Sequence, residues 1–174
     1  MPNTYNLIAS NTVGSGGAST ITFSSIPSTY TDLVVRVSGR STRTGFTYDY
    51  PRIKFNSSSS GYTDKRLYGT GSGTAASDTN TETTSITASQ VPGPNSTSNT
   101  FGNMDIYIPN YASANYKSVS IDCVTEEAGT TAYAILDAAL WSNTAAINQI
   151  DITLYSTSNY AQYSTFTLYG INKS

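Results

Sequence analysis

Near its C-terminal end the chain writes a strict alternation twice. Ile150, Ile152 and Leu154 alternate with Asp151, Thr153 and Tyr155, and Phe166 and Leu168 alternate with Thr165, Thr167 and Tyr169. A period of two places every second side chain on the same side of an extended backbone, so each run reads as a β-strand with one buried face. Upstream, Thr131–Trp141 places Tyr133, Ile135, Ala139 and Trp141 on one face and Ala132, Ala134, Leu136, Ala138 and Leu140 on the other. With both faces largely apolar, this run predicts a central strand covered on each side by protein. A helix over 132–140 is the rival, because Ala and Leu favour one. No N-cap or glycine stop brackets the segment and its neighbours are strand-like, so a strand is preferred. Ser142-Asn143-Thr144 supplies turn chemistry after it.

The same grammar runs through the rest of the chain. Strands are predicted at 5–10, around Ile21 and Phe23, at 31–40 with Leu33, Val35 and Val37 inward, and at 52–56 with Ile53 and Phe55 inward. Further strands are expected at 63–69, near Ile86, Ala88 and Val91, at 101–109 with Met104, Ile106 and Ile108 inward, and at 116–124 with Val119, Ile121 and Cys123 on one face. Gly14-Ser15-Gly16-Gly17, Ile26-Pro27-Ser28, Ser57–Gly61 and Pro92-Gly93-Pro94 punctuate them. Residues 70–84 are almost wholly small and polar and read as a flexible loop, a mobile edge, or a surface that orders against a neighbour. Many short strands with no helical interruption predict an all-β fold: a single-domain antiparallel β-sandwich over residues 1–174, most simply a jelly roll.

Composition agrees. Charged residues make up 11% of the 174 positions, against about 25% in an average soluble domain. The 14 tyrosines and a net charge of −2 argue against disorder, which is aromatic-poor and highly charged. A near-neutral balance offers no general attraction for nucleic acid or anionic lipid. The N-terminus lacks the basic region and apolar core of a signal peptide, and no apolar run approaches the ~20 residues of a membrane helix. Synthesis in a cytoplasm is expected.

The search for chemistry mostly excludes it. Without histidine, no Ser-His-Asp or Cys-His arrangement and no histidine zinc site is available, and the single Cys123 forms neither an internal disulfide nor a thiolate metal site alone. Gly69–Gly73 lacks the lysine of a phosphate-binding loop. Asp78-Thr79-Asn80-Thr81-Glu82 has alternating oxygen ligands, but not the glycine or glutamate that a calcium loop places at its sixth and twelfth positions, and reads as a solvated loop. Glycoside cleavage needs only two carboxyl groups, for which Asp49, Asp64, Asp105 or the Glu126-Glu127 pair are candidates. Glu126 and Glu127 read better as solvated charges before Gly129. No cofactor and no enzymatic activity are expected.

Two features remain for partner docking. Most positive charge lies in the first 66 residues, with Arg40 and Arg43 at a strand end; gathered on one face, these residues would form a patch for an acidic protein surface. Tyr107, Tyr133 and Tyr169 sit within strands and read as packing. Tyr48, Tyr50, Tyr62, Tyr111, Tyr116, Tyr160 and Tyr163 lie near loops, where tyrosine combines large contact area with a polar tip. Arg40, Arg43, Tyr48, Tyr50, Tyr62, Tyr111 and Tyr160 are therefore the docking candidates, for a protein interface or for stacking on sugar.

In order, YNLIAS, ITFSSIPSTYTDLVVR, KRLYGTG, MDIYIPNY, ALWSNTAAINQI and FTLYGI span nearly the whole chain. In these segments it resembles the small structural proteins of tailed bacteriophages, which are jelly-roll modules that decorate or cement capsids or sit in tail and fibre assemblies. The resemblance implies a virion protein on the capsid surface, made in the host bacterial cytoplasm. Its partners would be the major capsid protein and, as a homotrimer, copies of itself. A tail-fibre or tail-spike module that binds cell-surface glycan is the alternative.

Overall fold

The computed structural model describes residues 4–71, 73–87, 89–127 and 131–172. Among these residues lie fourteen strands: β1 (Tyr5–Thr12), β2 (Thr20–Phe23), β3 (Asp32–Gly39), β4 (Tyr48–Asp49), β5 (Pro51–Phe55), β6 (Tyr62–Gly69), β7 (Ala76–Asn80), β8 (Ile86–Thr87), β9 (Val91–Pro92), β10 (Gly102–Ile108), β11 (Lys117–Glu126), β12 (Ala132–Trp141), β13 (Ile150–Leu154) and β14 (Thr165–Ile171). No helix interrupts them among the described residues. All pairings are antiparallel. An eight-stranded sheet runs β1-β14-β3-β10-β11-β12-β6-β7, a four-stranded sheet runs β2-β13-β5-β8, and β4 pairs with β9. The protein is a sandwich-like single domain, with a strand order compatible with the expected jelly roll.

Alternation decides which side of each strand meets the core. In the small sheet, Ile21, Ile152, Ile53 and Ile86 stand opposite one another in register, forming an isoleucine ladder in which each residue is buried. The large sheet answers with Leu168, Val35, Ile106 and Ile121, again one cross-strand row and fully buried. β-Branched side chains suit this geometry because they fill a pleated surface with little rotamer freedom to lose. The two rows close the core. At one end Trp141 stacks on Tyr62, with rings 6.1 Å apart and 14° from parallel, and lies 5.6 Å from Phe55.

One expectation changes, and two elements gain detail. The second face of β12 is not covered by protein: Ala134 and Ala138 are exposed, and Leu136 is 53% exposed. Small apolar residues tolerate water, so Ala-rich alternation does not distinguish a buried face from an open one. In β1 the register slips at a bulge between Leu7 and Ala9, leaving Tyr5 and Leu7 exposed. Within 70–84, Ala76–Asn80 forms the edge strand β7, so that of the alternatives for this stretch an edge is the one seen there. Three side-chain pairs hold it to β6: Lys65 donates to Thr79 Oγ1 at 3.1 Å, Arg66 donates to Asp78, and Asn80 donates to Asp64 at 3.2 Å. Ala88, part of the strand expected near 86–91, lies outside the described residues, as does Gly129.

Candidate functional site

The buried row of the large sheet does not stay apolar. Beyond Ile121 the register continues to Asp137 on β12, Arg66 on β6 and Asp78 on β7. The four-stranded sheet is too narrow to cover all eight strands opposite it, and the inner face turns polar towards the β7 edge. A cleft of about 370 Å³ opens there, with Asp64, Arg66 and Asp78 on one wall and Tyr50 and Tyr155 on the other. It continues past Arg66 into a smaller recess of about 120 Å³ lined by Tyr48, Tyr68, Gln90 and Tyr133.

The walls are aromatic, with their rings in mutual contact. Tyr48 and Tyr50 meet edge to face at 5.3 Å, Tyr50 and Tyr155 at 6.5 Å, and Tyr133 lies 6.1 Å from Tyr68 and 6.3 Å from Tyr48. At the centre, Arg66 donates from Nε and Nη2 to the two oxygens of Asp78 at 3.2 and 2.8 Å, a bidentate pair that fixes the plane of the guanidinium. The guanidinium carbon lies 5.4 Å from the ring centre of Tyr50 and 5.6 Å from that of Tyr68, within cation–π range. Arg52 repeats the device at the rim, 4.2 Å over Tyr155 while donating to Glu82 at 2.7 Å.

Burial shapes the electrostatics. The carboxyl of Asp137 is raised above the usual range by desolvation, against the hydrogen bonds it accepts from Ser89 N at 2.8 Å and Ser89 Oγ at 2.5 Å. Desolvation likewise raises Asp64, although Thr87 N and Asn80 donate to it. Burial alone would lower Arg66, but the hydrogen bond and charge of Asp78 outweigh it and hold the guanidinium above its ordinary value. The hydrogen bond between Tyr48 and Tyr50, with burial and the neighbouring Tyr133 and Glu127, pushes Tyr48 up to about 12. Arg66 is therefore a resident, permanently charged cation, surrounded by acceptors.

Of the residues expected to dock a partner, only Tyr48 and Tyr50 belong to this cleft. Tyr62, Tyr111 and Tyr160, expected at a docking surface, are instead core residues, each exposed by 1% or less. Their flanking turn residues made them look superficial, but each ring folds inward and its hydroxyl donates to a main-chain carbonyl: Tyr62 to Phe55, Tyr111 to Pro27 and Tyr160 to Thr153. Arg40 clamps the 96–100 turn, donating to Thr97 O at 3.0 Å and Thr100 O at 2.7 Å. Arg43 lies 3.5 Å over Phe46 and pairs with buried Asp49 at 3.8 Å. The arginines are not gathered into one patch: Arg36 pairs with Asp105, Arg52 with Glu82 and Arg66 with Asp78.

The candidate carboxylates are likewise dispersed. Asp49 is buried and accepts from Ser41 and Ser156, Asp105 lies on the outer face of the large sheet, and Asp64 lies on its inner face. Glu127 is buried rather than solvated, and desolvation raises its carboxyl; Glu126 is exposed. No group of three or more His, Cys, Asp or Glu side chains capable of holding a metal occurs among the described residues. Tyr68, Gln90, Asp137 and Tyr155 join the site without a sequence expectation, Tyr133 is expected only as packing, and Arg66 only as one member of a basic patch. The legible signal was Asp137, an acid interrupting the inward face of Tyr133, Ile135, Ala139 and Trp141. No protein-family model, curated protein or solved structure matches the chain.

Proposed function

We propose that the chain is a non-enzymatic virion protein of a tailed bacteriophage: a decoration or cement protein that binds the outside of the assembled head and bridges major capsid proteins. The observation that supports this reading is the outer face of the eight-stranded sheet. Leu136 on β12 stands directly opposite Leu67 on β6, and Val124 lies one row away on β11 opposite Ala134. Leu67, Val124 and Leu136 are 52, 53 and 53% exposed. Exposed apolar side chains clustered on adjacent strands, rather than scattered singly, mark an interaction surface.

The mechanism follows from rigidity and mass action. A face whose backbone is fixed by cross-strand ladders loses little main-chain freedom when it docks. Binding the assembled shell better than loose capsid protein then stabilises the shell in proportion to occupancy. The trimer is an expectation from the family resemblance and from capsid symmetry.

Co-sedimentation with capsids stripped of accessory proteins tests the reading. Saturable binding at a fixed ratio to the major capsid protein, a rise in capsid melting temperature, and at least tenfold weaker binding of Leu136→Lys are expected. Binding to susceptible host cells with none to capsids would move the protein to the tail tip, as the host-recognition alternative.

A further inference from the structure

The outer face carries the docking reading, but it leaves the tyrosine-walled cleft on the opposite side of the sheet without a role. We infer that this cleft is a binding site for an uncharged oligosaccharide of hexose or N-acetylhexosamine units. Its volume lies within the roughly 300–1,000 Å³ of small-molecule sites. Tyr155, 51% exposed at the rim, offers ring surface beside its Arg52 contact on which the C–H face of a pyranose can lie, while Tyr50, whose hydroxyl already bonds Tyr48, lines the wall next to it.

The polar groups specify the class further. Gln90 is 4% exposed and lines the inner recess, yet its side-chain Oε1 meets no donor; Thr87 Oγ1, on the wall of the main cleft, is also buried without a partner. Buried polar groups left unpaired cost about 1–3 kcal/mol each, so their presence in a cleft marks where a ligand supplies the missing bonds. Gln90 Oε1 and the carboxylates of Asp64 and Asp78 are acceptors. The complementary ligand brings donors, as sugar hydroxyls and acetamido N–H groups do and the carbonyls of a proline-rich peptide do not.

Charge excludes the neighbouring classes. Asp64, Asp78 and Asp137 surround Arg66, so a phosphate, sulfate or uronate would enter against carboxylates. A ligand cation would meet the place between Tyr50 and Tyr68 already occupied by the Arg66 guanidinium. A neutral polyhydroxyl ligand meets neither obstacle.

The test is an oligosaccharide array followed by calorimetry on the full chain. The array presents uncharged probes (maltotriose, mannotriose, lacto-N-tetraose and tri-N-acetylchitotriose), heparin fragments and a choline-bearing probe. Binding of at least one uncharged probe is expected. Tyr155→Ala, at an exposed rim residue that leaves the core intact, should weaken it at least tenfold, as should Gln90→Leu. Leu136→Lys should leave it unchanged, which separates sugar binding from capsid docking. Absence of binding to every uncharged probe, preference for heparin or choline, or sugar binding indifferent to Tyr155→Ala would each overturn the assignment.

Discussion

The ring of Tyr30 lies against Gly170, so that a Cβ on residue 170 would come within 2.3 Å of its ring carbons. The contact joins segments 140 residues apart in sequence (170 − 30) and seats the entry to β3 on the last strand, where Thr31 N donates to Ile171 O at 2.8 Å. Tyr30 and Gly170 are thus two halves of one feature. Gly170→Ala must displace the ring and is expected to cost about 1–3 kcal/mol, the usual range for overpacking. Tyr30→Ala removes the obstacle. In a denaturant double-mutant cycle, the second substitution should therefore cost less in the presence of the first. Strict additivity would show that the Tyr30 ring is not what keeps residue 170 without a side chain.

Asp137 supplies a pH test of the inner face. Its folded-state carboxyl is raised by desolvation, so the folded protein holds the proton to higher pH than the unfolded chain. Such a group contributes stability that is complete below the unfolded value and is lost as pH rises through the folded one. Asp137→Asn keeps an oxygen for Ser89 and removes the charge. It is expected to raise the melting temperature at pH 7 by about 2–4 °C, on the order of 1 kcal/mol for this size, with the gain vanishing near pH 3. A variant less stable than wild type at pH 7 but equal to it at pH 3 would mean that attraction to Arg66 exceeds desolvation.

How much of this was legible depends on which residues carry the information. β3, β10, β13 and β14 were readable because their inward Leu, Ile, Val, Met and Phe alternate with polar residues, and water separates the two faces unambiguously. β12 was readable as a strand but not in its covering, because alanine is indifferent to burial. β7 was legible only as one of three alternatives, an edge: Ala76–Asn80 contains no large apolar residue and is held by its ladder and by pairs with β6. The cleft was hidden for a related reason. Asp137, Arg66 and Asp78 become neighbours only through the β12–β6–β7 register, and periodicity within one strand does not encode the offset to the next.

Trp141 tests how the core handles a polar edge. Its ring is 1% exposed, stacked on Tyr62 and close to Phe55, while its Nε1–H meets no acceptor. Trp141→Ala should cost about 3–5 kcal/mol through cavity and contact loss. Trp141→Phe loses volume too, but it also removes an unsatisfied N–H whose burial costs about 1–3 kcal/mol. Equilibrium unfolding should place it well under half the cost of the alanine variant. Equal costs would indicate that the indole N–H contributes a bond in solution.

Lys117 opens β11 opposite Trp141 and is 1% exposed, with no carboxylate paired to it among the described residues. Its ammonium instead donates to three main-chain carbonyls, Ser113 O at 2.8 Å, Asn115 O at 2.5 Å and Asn143 O at 3.4 Å, binding the 110–116 turn to the loop after β12. Lys117→Met preserves length and apolar stem but strands those carbonyls, and a loss of about 2–3 kcal/mol is expected from the unmet acceptors. Desolvation lowers the Lys117 amine, so between its folded and unfolded values the unfolded chain holds more protons and stability attributable to this residue rises with pH. Buried tyrosines titrate in the opposite sense at alkaline pH, but they are common to both proteins and cancel in the difference. The gap between wild type and Lys117→Met should therefore widen from pH 7 towards pH 10. A gap that stayed constant would show that the three carbonyls repay the ammonium in full for the water it gave up.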